Sequence, residues 1–138
     1  MLLNFEKSLP LICNNYSKIF NLKIKISGSL AYTDGSVIVI PRMDLNNEFN
    51  VRLIHGLLAH EAAHCRYSDF ILLNTISNTS SFYKMLLNAL EDIRIESLIS
   101  KEFVGVYENL SLLHSYIGNK NYQNLKKNNS IPCLFLII

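Results

Sequence analysis

The stretch Leu53-Ile54-His55-Gly56-Leu57-Leu58-Ala59-His60-Glu61-Ala62-Ala63-His64 decides how the chain is read. Leu53, Leu57, His60 and His64 follow one another at spacings of four, three and four. Residues so spaced lie on one face of an α-helix, so the two histidines prolong an apolar stripe and face inward. A single histidine there is an ordinary core residue. Two of them at i and i+4, with Glu61 directly after the first, form the HExxH arrangement. The imidazoles can hold one metal ion, usually Zn²⁺, and the glutamate can take a proton from water bound to it. The metal lowers the pKa of that water towards about 7. Glu61 lies about 100° around the helix from His60, a position suited to general-base work rather than ligation.

The helix carrying this motif is expected from Glu48 to Tyr67, with Asp44, Asn46 and Asn47 as candidate caps. Gly56 costs roughly 1 kcal/mol against alanine inside a helix, which suggests close approach of another element. Upstream, residues 3–20 read as a first helix broken or offset near Pro10. Residues 22–26 alternate apolar and polar, the period of a half-buried strand. Thr33-Asp34-Gly35 marks a turn, and the β-branched run Ser36-Val37-Ile38-Val39-Ile40 reads as a second strand closed by Pro41. Downstream, a long helix is expected over residues 81–99, capped by Ser80 or Ser81. Another is expected over 103–117, with Gly118 as its stop. Lys120 to Ser130 is polar and Asn-rich, like a loop. Ile131 to Ile138 is an apolar tail, either a last strand or an unnatural end. The fold class is α+β: a small sheet beside a helical bundle, with a metal between two helices. Residues 1–119 are the expected domain, and 120–138 a linker and tail.

A zinc site that works on a substrate needs three protein ligands and an open position. The pattern that supplies a third histidine soon after the second requires glycine at position 67 and histidine at position 70. Tyr67 and Phe70 stand there, and Asp69 is one position out of register. The better source is Asn88-Ala89-Leu90-Glu91-Asp92-Ile93-Arg94-Ile95-Glu96. Glu91 shares a helical row with Leu87, Ile95 and Leu98, and a carboxylate within an apolar row must be paired or metal-bound. That argument favours Glu91 as third ligand. Asp92 falls on a different row with Asn88 and Glu96. That row is either a solvated face, a source of hydrogen bonds that orient the histidines, or the alternative ligand itself. Arg94 is a candidate to neutralise Asp92 or a helix-terminal charge. Among the tyrosines, Tyr67 is nearest the motif in sequence and a candidate to assist. His55 and His114 have no ligand spacing and read as structural.

The 138 residues suit one domain, and 49% hydrophobic content can fill a core. A net charge of +2 without a basic cluster carries no nucleic-acid signal. Cys13, Cys65 and Cys133 are odd in number and widely spaced, so they indicate neither a disulfide framework nor a structural zinc site. Cys65 reads as a packing residue. The N-terminus lacks the basic leader of a signal peptide. No apolar run reaches the ~18 residues of a membrane helix. The expected compartment is the cytoplasm.

His60 to His64, followed 27 positions later by Glu91 on a helix, resembles the gluzincin branch of zinc metallopeptidases. More closely, Thr33-Asp34-Gly35, Ile40-Pro41, the motif helix and Leu90 to Glu96 look like the metallopeptidase-like N-terminal region of cobalt chelatase T-subunit-like proteins, also found in phages. The likeness covers roughly residues 30–100. It implies a zincin-like fold and a Zn²⁺-dependent hydrolase acting on a peptide or protein. It also implies that strand residues Val37, Ile38 and Val39 form an edge that aligns an extended substrate. The alternative it implies is a non-catalytic, zinc-stabilised scaffold associated with an AAA+ ATPase. Such proteins usually continue into a von Willebrand factor A domain, and no Asp-x-Ser-x-Ser motif stands in this chain. The chelatase role needs that domain and partner subunits, so it is not carried over.

Overall fold

A computed structural model describes residues 2–75 and 80–128. The apolar stretch Ile131 to Ile138 lies outside them. The elements are α1 (Leu2–Ser17), β1 (Lys23–Ile26), β2 (Tyr32–Thr33), β3 (Val37–Ile40), α2 (Glu48–Tyr67), α3 (Phe70–Thr75), α4 (Ser81–Glu102) and α5 (Val106–Asn128). The class is therefore α+β, mostly helical with a three-stranded sheet. No helix among the described residues is long and apolar enough to cross a membrane.

α2 is the spine. Asn47 starts it, its side chain accepting from the Phe49 amide at 2.9 Å. One flank of α2 presents Ile54, Leu58 and Ala62 to Leu9 and Cys13 of α1 and to Ile38 and Ile40 of β3. The other presents Ala59 and Ala63 to Ile95 and Ile99 of α4 and to Val106 and Leu110 of α5. The second flank is built from small residues, and this lets the helix axes come close. Gly56 is the tightest point. A Cβ there would stand 2.7 Å from the Asn109 carbonyl oxygen and 3.2 Å from Leu113 Cβ, so the expected close approach is the packing of α5. Gly105, at φ +87°, makes the turn that folds α5 back after α4.

The sheet has the order β1-β3-β2, with β1 parallel and β2 antiparallel to β3. β3 is thus the central strand, and its Ile38, Val39 and Ile40 are buried. This corrects the expectation that Val37, Ile38 and Val39 form a substrate-aligning edge. β1 pairs with all three and β2 with Ile38 and Val39, and among the described residues the edge on the antiparallel side belongs to Tyr32 and Thr33. The turn at Thr33-Asp34-Gly35 is present. Asp34 Oδ1 accepts from the Ser36 amide at 2.8 Å and the Val37 amide at 2.9 Å.

Two further expectations are corrected, at Pro10 and at Gly118. Pro10 lies inside α1 without ending it. Asp69, out of register for a ligand, instead caps α3, accepting from the Ile71 and Leu72 amides at 3.0 Å each. Gly118 does not stop its helix: α5 continues to Asn128, so the boundary expected at 119/120 falls inside a helix and Lys120 to Asn128 is not a loop. The polar run reads as loop by composition, but Asn, Lys and Gln are tolerated on a solvated helical face.

Candidate metal centre

His60 and His64 sit one turn apart on the buried half of α2, their rings edge to face with centroids 4.8 Å apart. Opposite them, α4 presents the face Asp92, Ile95, Glu96 and Ile99, in which both isoleucines are fully buried. Asp92 is the carboxylate this face delivers to the histidine pair. Its Oδ1 lies 3.1 Å from His64 Nε2 and 3.8 Å from His60 Nε2. One ligand atom from each of His60, His64 and Asp92 falls within 4.8 Å of the others, a spacing that suits a single ion. The group joins α2 to α4, between two helices as expected.

The other nitrogen of each ring is also occupied. His60 Nδ1 is 2.7 Å from Glu96 Oε1, and Glu96 Oε2 is 2.7 Å from His114 Nε2 on α5. His64 Nδ1 is 2.9 Å from Ser68 Oγ, which itself donates to Glu91 Oε1 at 2.6 Å. Metal-binding histidines are ordinarily held this way, one nitrogen anchored to oxygen and the other turned to the ion. The donor set of two imidazoles and one carboxylate therefore fits a zinc ion chemically as well as in spacing.

The carboxylate brought to the histidine pair is Asp92, the alternative ligand, and not Glu91, the favoured one. Arg94 grips Glu91 in a fork, with Nε and Nη2 each 2.7 Å from a carboxylate oxygen. The physical reason is the rotation of α4. The row Leu87, Glu91, Ile95 and Leu98 was read as the inward one, but the face that meets α2 runs through residues 92, 95, 96 and 99. Glu91 falls on its flank, where Arg94 reaches it, so Arg94 neutralises Glu91 and not Asp92. Asn88 sits one turn before Asp92, and the ring nitrogens are already taken by Glu96, Ser68 and Asp92. Glu96 is the member of that row that orients a histidine.

Glu61 is 5% exposed and shares α2 with the histidines. Burial pushes its carboxyl up from the usual range, opposed by charge on His60 and His64 and reinforced by Asp92. Burial also pulls the His60 imidazole down, but the Glu96 hydrogen bond and the charges of Glu61, Asp92 and Glu96 outweigh it, so its pKa rises. Burial opposes ionisation of Glu96, yet hydrogen bonds from His114 and His60 hold it down at about 2. Arg94 first, then Ser68, lowers the Glu91 carboxyl against burial.

Two contributors went unread in the sequence. Ser68 carried a signal: it continues the four-residue step of His60 and His64. His114 did not, because only the return of α5 brings it to Glu96. His55 packs edge-on against Phe5 with centroids 5.2 Å apart, the structural role expected of it. Tyr67 packs against the α4–α5 core beneath Arg66, whose guanidinium carbon is 4.8 Å from its ring centre, and does not join the centre. Cys65 is a packing residue of the sheet-side core, 3.2 Å from Thr33 Oγ1.

No family model, no curated protein and no solved structure matches the chain.

Proposed function

We propose that this chain is a zinc-dependent hydrolase of the zincin type, acting on peptide bonds. The convergence of His60 Nε2, His64 Nε2 and Asp92 Oδ1 beside the buried Glu61 carries the reading. A zinc ion held by the three would supply Lewis acidity towards a carbonyl and a more acidic water. Glu61, buried on the same helix as the two histidines, takes the proton of the attacking water and passes it to the departing amine. Glu96 and Ser68 hold the imidazoles in place while this happens. The edge of Tyr32 and Thr33, unpaired among the described residues, offers backbone groups to an extended substrate. Thr33 also contacts Cys65 of the motif helix, which places that edge beside α2.

The test is zinc content together with cleavage of a broad peptide library by wild type and Glu61→Gln. The variant keeps zinc and loses cleavage. Equal cleavage by both proteins rejects the mechanism.

A second reading is a non-catalytic scaffold, a partner of an AAA+ ATPase, in which zinc pins α2 to α4. One observation favours it: α4 exposes Phe82, Leu86, Leu90 and Ile93 along one side, a contiguous apolar row of the kind that marks contact with another protein. Zinc binding without cleavage by either protein selects this reading.

A further inference from the structure

We propose that Ser68 and Glu91 are positioning residues that fix which nitrogen of His64 faces the metal. The inference rests on the metal reading above and adds a role for a carboxylate that touches no ion.

The argument is an inventory of hydrogens. Arg94 can only donate. Its Nε and Nη2 occupy both oxygens of Glu91, and Nη2 also reaches the Tyr67 carbonyl at 2.7 Å. Glu91, paired in this way, is a carboxylate and can only accept. Ser68 has one hydroxyl hydrogen, and at 2.6 Å from Glu91 Oε1 that hydrogen is committed to Glu91. The Ser68 oxygen then has only lone pairs to offer His64. The contact of 2.9 Å with His64 Nδ1 must therefore be a bond that His64 donates. Nδ1 therefore carries a hydrogen, and Nε2, which now meets Asp92 Oδ1 at 3.1 Å, is the nitrogen left to give up its hydrogen and offer a lone pair when an ion comes between them.

The chain of bonds is mechanically anchored. Ser68 is the residue on which α2 ends, its amide bonded to the His64 carbonyl at 3.0 Å. Arg94 satisfies one of the carbonyls that a helix leaves open at its C-terminus. The end of α2 is thus clasped to α4 at the same point where the tautomer is set. Without Glu91, the Ser68 hydroxyl is free to turn its hydrogen to Nδ1, which favours the tautomer carrying hydrogen on Nε2.

The test is zinc affinity of the full chain, by competition with a chromogenic chelator, for wild type, Ser68→Ala, Glu91→Ala, the double variant and Ser68→Thr. Circular dichroism of the metal-free proteins checks their fold. Each alanine variant should bind zinc about 10- to 100-fold more weakly. The double variant should lose no more than the weaker single, because both act through one chain of bonds. Ser68→Thr restores the hydroxyl in an extended backbone that threonine adopts readily, and should bind like wild type. Glu91→Gln, nearly isosteric, offers an amide that repels Arg94 and competes to donate to Ser68. It should weaken binding even if Glu91→Ala folds poorly. Unchanged affinity in Ser68→Ala, or losses that add in the double variant, overturns the relay and leaves the metal site standing. No zinc in wild type overturns both.

Discussion

On α2, His60 and His64 stand one turn apart and both reach the same point. On α4, Asp92 and Glu96 also stand one turn apart, with Glu91 beside them, yet the three carboxylates have three different partners: the histidine pair, a histidine's outer nitrogen, and an arginine. The α2 residues are brought together by helical geometry that any α-helix would supply. The α4 residues are sorted by how far the helix is rotated about its own axis, and that rotation is set by Ile95 and Ile99 packing on Ala59 and Ala63. A turn of about 100°, one residue's worth, would bring Glu91 to the place of Asp92 and carry Asp92 away from the histidines.

The sharpest way to break this comparison is to remove the carboxylates one at a time. Asp92→Ala should weaken zinc binding by more than about 100-fold, beyond what loss of a supporting hydrogen bond costs. His60→Ala and His64→Ala should do at least as much, read by elemental analysis of purified protein. If Glu91→Ala proves as damaging as Asp92→Ala, α4 is rotated from the position described.

Glu96 tests the same helix through pH. Its carboxyl ordinarily titrates at 4.5 and is held at about 2 in the folded, metal-free protein. A depressed carboxyl stabilises the fold above its unfolded pKa, and this contribution is lost as pH falls from 4.5 towards 2. Metal-free wild type should lose stability on the order of 2 kcal/mol over that window, and Glu96→Gln clearly less. Chemical denaturation at stepped pH measures it; parallel profiles would remove Glu96 from the network. The raised pKa of His114, caused first by its Glu96 bond, has the opposite sign: its contribution is present at acid pH and is lost as pH rises through the folded value.

Two glycines extend the contrast to α5. Gly56→Ala places a methyl 2.7 Å from a backbone carbonyl oxygen, which cannot yield without moving α5. The helix gains roughly 1 kcal/mol of propensity, but overpacking of about 1–3 kcal/mol outweighs it, so Tm should fall. Gly118→Ala meets nothing within 4 Å and lies inside α5. It should raise stability by about 0.5–1 kcal/mol. A loss of stability there would return Gly118 to the role of helix stop.

Much of the architecture was legible because it depends on local periodicity. The motif helix was expected over 48–67 and is found there, and α4 begins at Ser81 behind its Ser80 cap. The Gly56 contact was legible too, since a glycine inside a strong apolar helix implies a neighbour. The sheet was half legible. The strand at 37–40 was read correctly, but its central place was not, because pairing order depends on where β1 and the two residues of β2 settle against it. The length of α5 was missed because its last turns lack the apolar stripe that marks a buried helix.

What the sequence determined by itself is the arrangement on α2 of two imidazoles and a carboxylate, whose relative placement follows from 3.6 residues per turn. What only the tertiary structure decided is which acid completes them. Glu91 and Asp92 are neighbours of nearly equal burial, with side chains 18% and 17% exposed. The one local difference is Arg94, three positions after Glu91, and the sequence did not say which of the two acids it would pair. The choice comes from interhelical packing, a non-local balance of isoleucine, alanine and glycine contacts that also brings His114 to Glu96 from a helix no motif pointed to.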